Sequence, residues 1–586
     1  VKKDIPYFEP VGFGADIFSQ RYTAYEGEKW LEACRRVARH VATAESGSNR
    51  VKVEEEFFEQ LAHNRFMPGG RIWYGSGKAK GQLLNCFVIP THDSREGWGR
   101  TVSDSIVISG TGGGVGINCS PVRPRGHPVT GTGGTATGAV SLMEIVNAAG
   151  NVIKAGGGRR TALMLCLDVN HGDITEFLDK KLDLKELNNA NVSVVFNEDP
   201  EDFFEKVRNG KPFDLLFKGR VVGTIPAAEL WDRIITNALK GGEPGILNGY
   251  YANKMSNIHY YAKLVSTNPC GEIWMSPYDC CCLGAVVLPR FVQGVSPMID
   301  WKMLKDSIFS SIRFLDNVLT VNNYPLPEIA GTCNNLRRIG LGIMGLHDTL
   351  LMMGLSYNSP ESLEFVDKIM EFVKDNSYLA SVELAKERGA FPVFDKDKFL
   401  KSAFVKTLKP TIRKAIAEFG MRNCATNTIA PTGTTAIVCG VTSGVEPMFA
   451  PAYERRWWVG DTRAMEVVVH PLLEKFVKDG KDVSHFQGTY DLSMRDHFEM
   501  QRICQRHTDN AVSKTINIKS DVSKEELSAL YMEYLPELKG VTIYPDGSRE
   551  NQPLTPLSLA EAIEFVGTAS TGVDGKDSCK SGACDI

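Results

Sequence analysis

In TNPCGEIW, residues 267–274, Asn268, Cys270 and Glu272 alternate, so on an extended segment their three side chains leave the backbone on one side. A thiol set between an amide and a carboxyl is a reactive grouping rather than a core one. The charge of Glu272 would raise the thiol pKa, the wrong direction for a thiolate nucleophile. The chemistry that fits is a neutral thiol giving and taking a hydrogen atom, with the carboxylate acting as base on a substrate. Further thiols stand at Cys86, in LLNCFVIP, and in a row at Cys280, Cys281 and Cys282, in PYDCCCLG. The chain stops on DSCKSGACDI, where Cys579 and Cys584 sit in a stretch with nothing apolar to anchor it. That pair binds a metal, forms and breaks a disulfide, or belongs to a disordered end.

The glycine clusters GTGGGVG (110–116), GTGGTATG (131–138) and AGGGRR (155–160) invite a phosphate-loop reading, yet none has the spacing of G-x-G-x-x-G or of the P-loop. Backbone N–H groups there, with Arg159 and Arg160 beside them, remain a means of holding phosphate, and plain turns are the rival. APTGTTAIV (430–438) is more specific: Pro431 starts a turn, and Thr432, Gly433, Thr434 and Thr435 bring hydroxyls and N–H groups to the start of an apolar, helical run. A helix start of that kind holds a phosphate, or is simply hydroxyl-capped.

The elements that must position these residues interleave. Apolar spacing predicts helices near 28–45 and over VEEEFFEQLAH, MLKDSIFSSIRFLDNVL and ESLEFVDKIMEFVKDNSYLASVELAKERG, the last closed by Gly389. Buried strands are expected at 161–169, 191–196 and 283–291, which together indicate an α/β architecture. Asp173 with Glu176 reads as a structural capping arrangement and His171 as a loop residue. Fourteen cysteines without a secretory signal point to a reducing compartment, the cytoplasm, and to thiols rather than a disulfide scaffold. Cys34, Cys166, Cys333, Cys424, Cys439 and Cys504 read as core, and Cys119 as part of a structural strand. A formal charge of −4 argues against a dedicated nucleic-acid binder, and no apolar run is long enough for a membrane span. From about Pro553 the composition turns small and polar, so a mobile tail is expected.

NPCGE followed by PYDCCCLGAVVL resembles the finger loop and following strand of ribonucleotide reductase catalytic subunits. The resemblance continues through FMPGGRIWYGSG, LLNCFVIP, RRIGLGIMGLHD, NTIAPTGTTA, SGVEPMFA, DNAVSKTIN, GVTIYPDGSREN and CKSGAC, in order, over nearly the whole chain after the first sixty residues. It implies a ten-stranded α/β barrel with a central finger loop, preceded by a helical N-terminal segment: residues 1–80 helical, 81–552 barrel, 553–586 redox tail. It implies that Cys270 becomes a thiyl radical, that Glu272 takes the substrate's 3′-hydroxyl proton, and that Asn268 binds substrate and orders the loop. Cys86 and Cys281 would supply the reducing electrons, with Leu283 and Gly284 setting the register that selects Cys281 from its neighbours. Cys579 and Cys584 would be the swinging dithiol that re-reduces them and is itself reduced by a thioredoxin-like protein. Two cysteines make only half of a tetrahedral zinc set, and no metal site is expected.

By the same resemblance the substrate phosphates sit on Thr432, Gly433, Thr434 and Thr435. Asn85 stands where relatives often carry serine. Asp104, Arg123, Arg159 and Arg160 resemble the site for dNTP or ATP specificity effectors, at the interface of a homodimer. Metal-radical relatives need a tyrosine pair, whereas VTIYPDG offers Tyr544 beside Ile543; glycyl-radical relatives need a glycine loop and a four-cysteine metal site, which the tail lacks. GGRI, VSKTIN and YPDGSREN resemble the adenosylcobalamin-dependent group. HFQG, at His485, lacks the aspartate of the D-x-H-x-x-G cobalamin motif, and His485 is expected on a surface loop. Two other readings stay open: a catalytic subunit served by a separate radical-generating protein, and a silent nucleotide sensor, against which the retained Cys270 and terminal dithiol argue.

Overall fold

The computed structural model describes residues 6–131, 133–153, 161–182, 186–459, 462–546 and 554–570. Arg159, Arg160, Cys579 and Cys584 lie outside the described residues. The strands that build the centre are β1 (Phe66–Pro68), β2 (Cys86–Ile89), β3 (Gly114–Asn118), β4 (Leu163–Asp168), β5 (Ala190–Phe196), β6 (Gly245–Asn248), β7 (Cys280–Cys281), β8 (Leu283–Val287), β9 (Gly340–Met344), β10 (Thr515–Ile518) and β11 (Gly540–Pro545).

β2, β3, β4, β5 and β6 lie side by side, all parallel. Their runs, such as LMLCL and SVVF, are apolar at nearly every position because a parallel sheet is covered on both faces. A second parallel set starts with β8 on β9, passes by single bridges from Leu341 to Asn427 and from Ile429 to Val512, and ends with β10 on β11. The two sets meet antiparallel on both sides. β11 pairs with β6, and β7 pairs with β2 before running into β8 after one residue, Cys282. Pairing can therefore be followed from β2 through ten segments back to β2. β1 adds to the outer side of β8.

Helices α1 (Phe13–Arg21), α2 (Trp30–Val41) and α3 (Gly47–Ala62) form the expected N-terminal helical segment, and α2 buries Trp30, Cys34, Val37 and Val41 at the anticipated spacing. Around the strands lie α4 (Arg95–Gly110), α5 (Ala139–Val152), α6 (Trp301–Val321), α7 (Pro360–Arg388) and the short α8 (Gly433–Cys439). Among the described residues no helix is long and apolar enough to cross a membrane.

Three local expectations are corrected. The strand expected over 283–291 stops at Val287, and Pro289 sits in a 3₁₀ turn over Leu288–Phe291, because proline cannot donate to a ladder. The tail does not begin at 553: Leu554–Leu557 pairs with Ala452–Arg455, and a helix over Leu559–Ser570 buries Ala562 and Val566. Leu559, Ala562 and Val566 recur at helical spacing, a signal that the polar average composition concealed. Asp173 does not cap its own helix; its carboxylate accepts N–H bonds from Arg125 and Ala139, which ties the start of α5 in place. His171 is buried, with Nδ1 accepting from the Asp173 N–H and Nε2 2.8 Å from the Val122 carbonyl oxygen.

A buried charge network joins the helical layers. Asp316, on α6, is fully buried and receives Arg337 at 2.7 Å, Arg388 at 3.2 Å and Arg422 at 3.3 Å. Burial would push its pKa up, but the three guanidinium groups hold it below the ordinary aspartate value. Arg388 also pairs with Glu45, which follows α2, so the N-terminal segment is tied to the same network. Removing one partner strands the others in low dielectric. Asp316→Ala is therefore expected to lower stability by about 3–5 kcal/mol, measured as the urea midpoint at constant m-value, whereas Glu387→Ala, at the solvent edge of the network, costs about 1 kcal/mol or less.

Candidate active site

A hairpin enters the ring of strands. Ser266–Thr267 pairs antiparallel with Trp274–Met275, and its tip is Asn268–Pro269–Cys270–Gly271–Glu272–Ile273. The Gly271 N–H donates to the Asn268 carbonyl at 3.0 Å, and the Ile273 N–H donates to Asn268 Oδ1 at 3.1 Å. Gly271 adopts φ +81°, a left-handed turn that glycine takes without strain. The tip is thus a turn and not the extended segment expected, and exposure differs along it: Asn268 and Glu272 are buried, whereas Cys270 is exposed.

Both halves of the ring hold the hairpin. On one side Asn118 Nδ2 donates to the Val265 carbonyl and Asn191 Nδ2 to the Pro269 carbonyl. On the other the Thr428 hydroxyl and the Ala511 N–H donate to the Glu272 carbonyl, at 2.7 and 2.9 Å. The approach to β3 is so close that a Cβ on Gly116 would lie 1.8 Å from the Thr267 carbonyl oxygen, and one on Gly114 2.9 Å from the Pro269 ring. The last glycines of GTGGGVG thus admit a hairpin, which is the role the phosphate-loop and turn readings both missed.

Glu272 is 2 % exposed, and its Oε2 has no hydrogen-bond partner. Burial pushes its pKa up to about 7, against the opposing pull of the Asn268 side chain. Asn268 Nδ2 in turn lies 3.7 Å from Cys86 Sγ. Cys86 is the direct antiparallel partner of Cys281, so the two thiols face one another across the pair. Burial first, then Cys86 and Glu272, push the Cys281 thiol well above its ordinary pKa, so it is a neutral S–H. Strand alternation sends its neighbours elsewhere: Cys282 donates to the Leu315 carbonyl, and Cys280 lies beside Cys333.

Ligand atoms of Asp279, Cys280 and Cys333 lie within 4.8 Å of one another. Asp279 is already committed, with Oδ2 receiving Arg338 Nε at 2.8 Å and Oδ1 receiving the Cys280 N–H, and burial pushes both thiols up. The cluster is an ion-paired brace for β7.

Thr432, Thr434 and Thr435 line a cavity of about 80 Å³ together with Tyr22, Asn85 and Gly284. Ser443 Oγ accepts the N–H groups of Thr432 and Gly433 at 3.0 and 3.2 Å, and the Thr435 hydroxyl donates to the Thr432 carbonyl. The Tyr22 and Thr434 hydroxyls form a short hydrogen bond. Tyr22 and Ser443 were missed by sequence reasoning, and no local pattern marks either. Asp104, on α4, is buried against Arg100 and the Tyr278 hydroxyl, each at 3.0 Å, and Arg123 pairs with Asp93 at 2.9 Å. His485 is buried, not on the surface: its Nε2 lies 3.1 Å from the Leu351 carbonyl oxygen. Tyr544 lies on β11 opposite Asn517 of β10.

Residues 84–544 match the ribonucleotide reductase barrel domain, and residues 9–81 the ribonucleotide reductase all-alpha domain. The chain is 35% identical over 524 residues to the vitamin B12-dependent ribonucleoside-diphosphate reductase of Thermoplasma acidophilum, covering 85% of this chain and 66% of that relative. It is 32% identical over 590 residues to the protein of the same name from Mycobacterium tuberculosis, covering 94% of this chain and 82% of the relative. Similarity to the ribonucleoside-diphosphate reductase subunit alpha of Chlamydia pneumoniae is lower, 26% over 500 residues, spanning 47% of that protein.

The uncompensated carboxyl has a thermodynamic signature. Between the unfolded glutamate value near 4.3 and the folded value of about 7, the native state keeps a proton that the unfolded chain has released, so stability falls as pH rises through that window and levels off above it. Glu272→Gln removes this component. Relative to the variant, the wild type is expected to lose up to about 3 kcal/mol between pH 4.5 and pH 8. Taking the difference cancels contributions from Lys539, His347 and His497, whose pKa values burial pushes down. Parallel stability–pH curves for the two proteins would sink the assignment.

Proposed function

The chain belongs to the ribonucleotide reductase family, and from that premise we propose that it reduces ribonucleoside diphosphates to 2′-deoxyribonucleotides by thiyl-radical chemistry, with adenosylcobalamin as the radical source. The observation that supports this most directly is one hairpin that carries an exposed Cys270, a buried Glu272 with one unpartnered oxygen, and an Asn268 contact to Cys86, which faces Cys281.

In this reading the ribose lies between the hairpin tip and the Cys86–Cys281 pair, with its phosphates toward Thr432, Thr434 and Thr435. Cys270 gives up its hydrogen atom and takes the one on C3′. Glu272, ionised above about pH 7, accepts the 3′-hydroxyl proton. Cys86 and Cys281 deliver two protons and two electrons; the 2′-hydroxyl leaves as water, the C2′–O bond is replaced by C2′–H, and the two thiols close to a disulfide. The hydrogen held by Cys270 returns to C3′, and the proton held by Glu272 returns to the 3′ oxygen. A neutral Cys281 suits this role, since it must donate a proton as well as an electron.

The fit to a cobalamin cofactor rests on exposure. Cys270 is the one residue of this group open to solvent, so a bulky group can meet it there, while Glu272 and Cys281 stay shielded. When bound, adenosylcobalamin supplies a carbon-centred radical able to take the hydrogen atom of a thiol. His485, engaged with the Leu351 carbonyl, is not presented as a cobalt ligand.

Residues 1–80 would serve as a helical cap, 81–552 as the catalytic barrel, and the segment holding Cys579 and Cys584 as the dithiol that reduces the inner disulfide and passes its own to a thioredoxin-like protein. Asp104, Arg123, Arg159 and Arg160 would serve dNTP or ATP effectors. Exposed Ile106 and Val107 on α4 and Ile145 on α5 support a homodimer through those helices. The cytoplasm, with its reducing thiol poise, is the compartment this chemistry suits.

Nucleotide reduction is expected with adenosylcobalamin and dithiothreitol alone, with no second protein, and Cys270→Ser is expected to abolish both turnover and hydrogen exchange between the cofactor and solvent. Wild-type exchange in that variant would remove Cys270 from its role. A small reductant enters the ring, and a thioredoxin-sized one does not. Cys579→Ser with Cys584→Ser is therefore expected to stop thioredoxin-driven turnover after about one cycle per site while dithiothreitol-driven turnover persists; free turnover with thioredoxin would make the terminal pair a passenger.

A further inference from the structure

We propose that Tyr22, supplied by the N-terminal helical segment, is a positioning residue of the substrate pocket: it holds the Thr434 hydroxyl so that its hydrogen is offered to a phosphate oxygen of the bound nucleotide. This deepens the reading of the Thr432–Thr435 pocket given above and rests on it.

Tyr22 ends α1, with its N–H bonded to the Phe18 carbonyl, and is 4 % exposed. Three contacts fix it. Its ring lies over Gly70, where a Cβ would come within 2.7 Å of the ring edge, so only glycine lets the ring seat. Its carbonyl accepts from Arg36, which is clamped by Glu28 at 2.6 Å and donates to the Trp73 and Ser76 carbonyls at 2.8 Å each. Its hydroxyl meets the hydroxyl of Thr434, 412 positions away in the chain. The ring and Thr434 line the same cavity as Asn85, the neighbour of Cys86.

The chemistry follows from hydrogen-bond inventory. Each hydroxyl has one hydrogen and accepts through oxygen, whereas an ionised phosphate oxygen only accepts. With phosphate in the cavity, two relays leave no lone pair facing lone pair; the one assigned has Tyr22 O–H donating to Thr434 and Thr434 O–H donating to phosphate, and the double variant below separates it from the reverse order. Donation from Tyr22 polarises the Thr434 hydroxyl and strengthens its charge-assisted bond to the anion. Without Tyr22 the Thr434 hydroxyl is free to rotate, and part of the orientation must be imposed during binding. Thr435 cannot substitute, because its hydroxyl is spent on the Thr432 carbonyl. The helical cap thereby takes part in substrate recognition.

Tyr22→Phe keeps the ring and removes the donor. It is expected to raise the KM for a ribonucleoside diphosphate and the inhibition constant of inorganic pyrophosphate by the same factor, about threefold to tenfold, while kcat changes by less than about twofold. Thr434→Val should raise both constants as well, Thr434→Ser, which keeps the hydroxyl, should raise them less than Thr434→Val does, and adding Tyr22→Phe to Thr434→Val should change neither constant further. Unchanged constants in Tyr22→Phe, or its full effect persisting beside Thr434→Val, would overturn the relay. If the wild type reduces nucleotides and binds pyrophosphate while Tyr22→Phe behaves identically, the relay alone fails. If the wild type does neither, the reading of the pocket fails first.

Discussion

The structure is organised by the need to hold one carboxyl group, Glu272, deep inside a protein without a counter-charge. Burying a carboxylate that way costs several kcal/mol, and here the cost takes the form of a proton retained to about pH 7. A group in that state drifts toward water unless its backbone is clamped. The Glu272 carbonyl is accordingly held by Thr428 and Ala511 from the second parallel set, while Asn118 and Asn191 of the first set hold the other strand and the tip of the hairpin. The close approach required at β3 leaves no room for a side chain at Gly114 or Gly116.

Other buried acids show the contrast. Asp316 meets three arginines and Asp279 meets Arg338, and each serves as a fixed brace. Glu272 has an amide beside it and one oxygen without a partner. Paired acids anchor helices and strands, and the unpaired one is able to change charge during a reaction. Among these three, burial alone does not separate the groups; the presence or absence of a guanidinium does.

How much of this was legible beforehand varied with the range of the interaction. Helices α2, α6 and α7 and strands β4 and β5 followed from periodicity, because one apolar face or a fully buried run is written into consecutive residues. The family resemblance of NPCGE marked a finger loop where spacing alone suggested an extended segment, and the family register at Leu283 and Gly284 singled out Cys281, which pairs opposite Cys86. Tyr22 and Ser443 were not legible, since each meets the Thr432–Thr435 turn through a fold contact without a local pattern. His485 was misplaced because a histidine in a polar stretch looks exposed until a backbone carbonyl is found for it. Glycines were ambiguous for a similar reason: a close backbone approach and a phosphate loop leave the same residue type behind.

Three consecutive cysteines in one chain would be a hazard in a redox enzyme if their environments were alike. A strand sorts them at no further cost, since successive side chains face opposite ways. Cys281 meets Cys86 and Asn268, whereas Cys280 and Cys282 are held among Cys333, Leu315 and the apolar core. The sorting is only as reliable as the register, because a slip of one residue would bring Cys280 or Cys282 opposite Cys86 instead. β7 is two residues long, too short to hold its own register by ladder bonds. Its register is therefore imposed from outside. Asp279 is locked to Arg338 immediately before β9, Tyr278 is bonded to Asp104 on α4, and β8 continues directly into the five-residue ladder with β9. The choice of which thiol faces the reaction thus depends on a salt bridge and a phenol outside the reaction zone, which also makes α4, the helix that carries Asp104, mechanically continuous with Cys281.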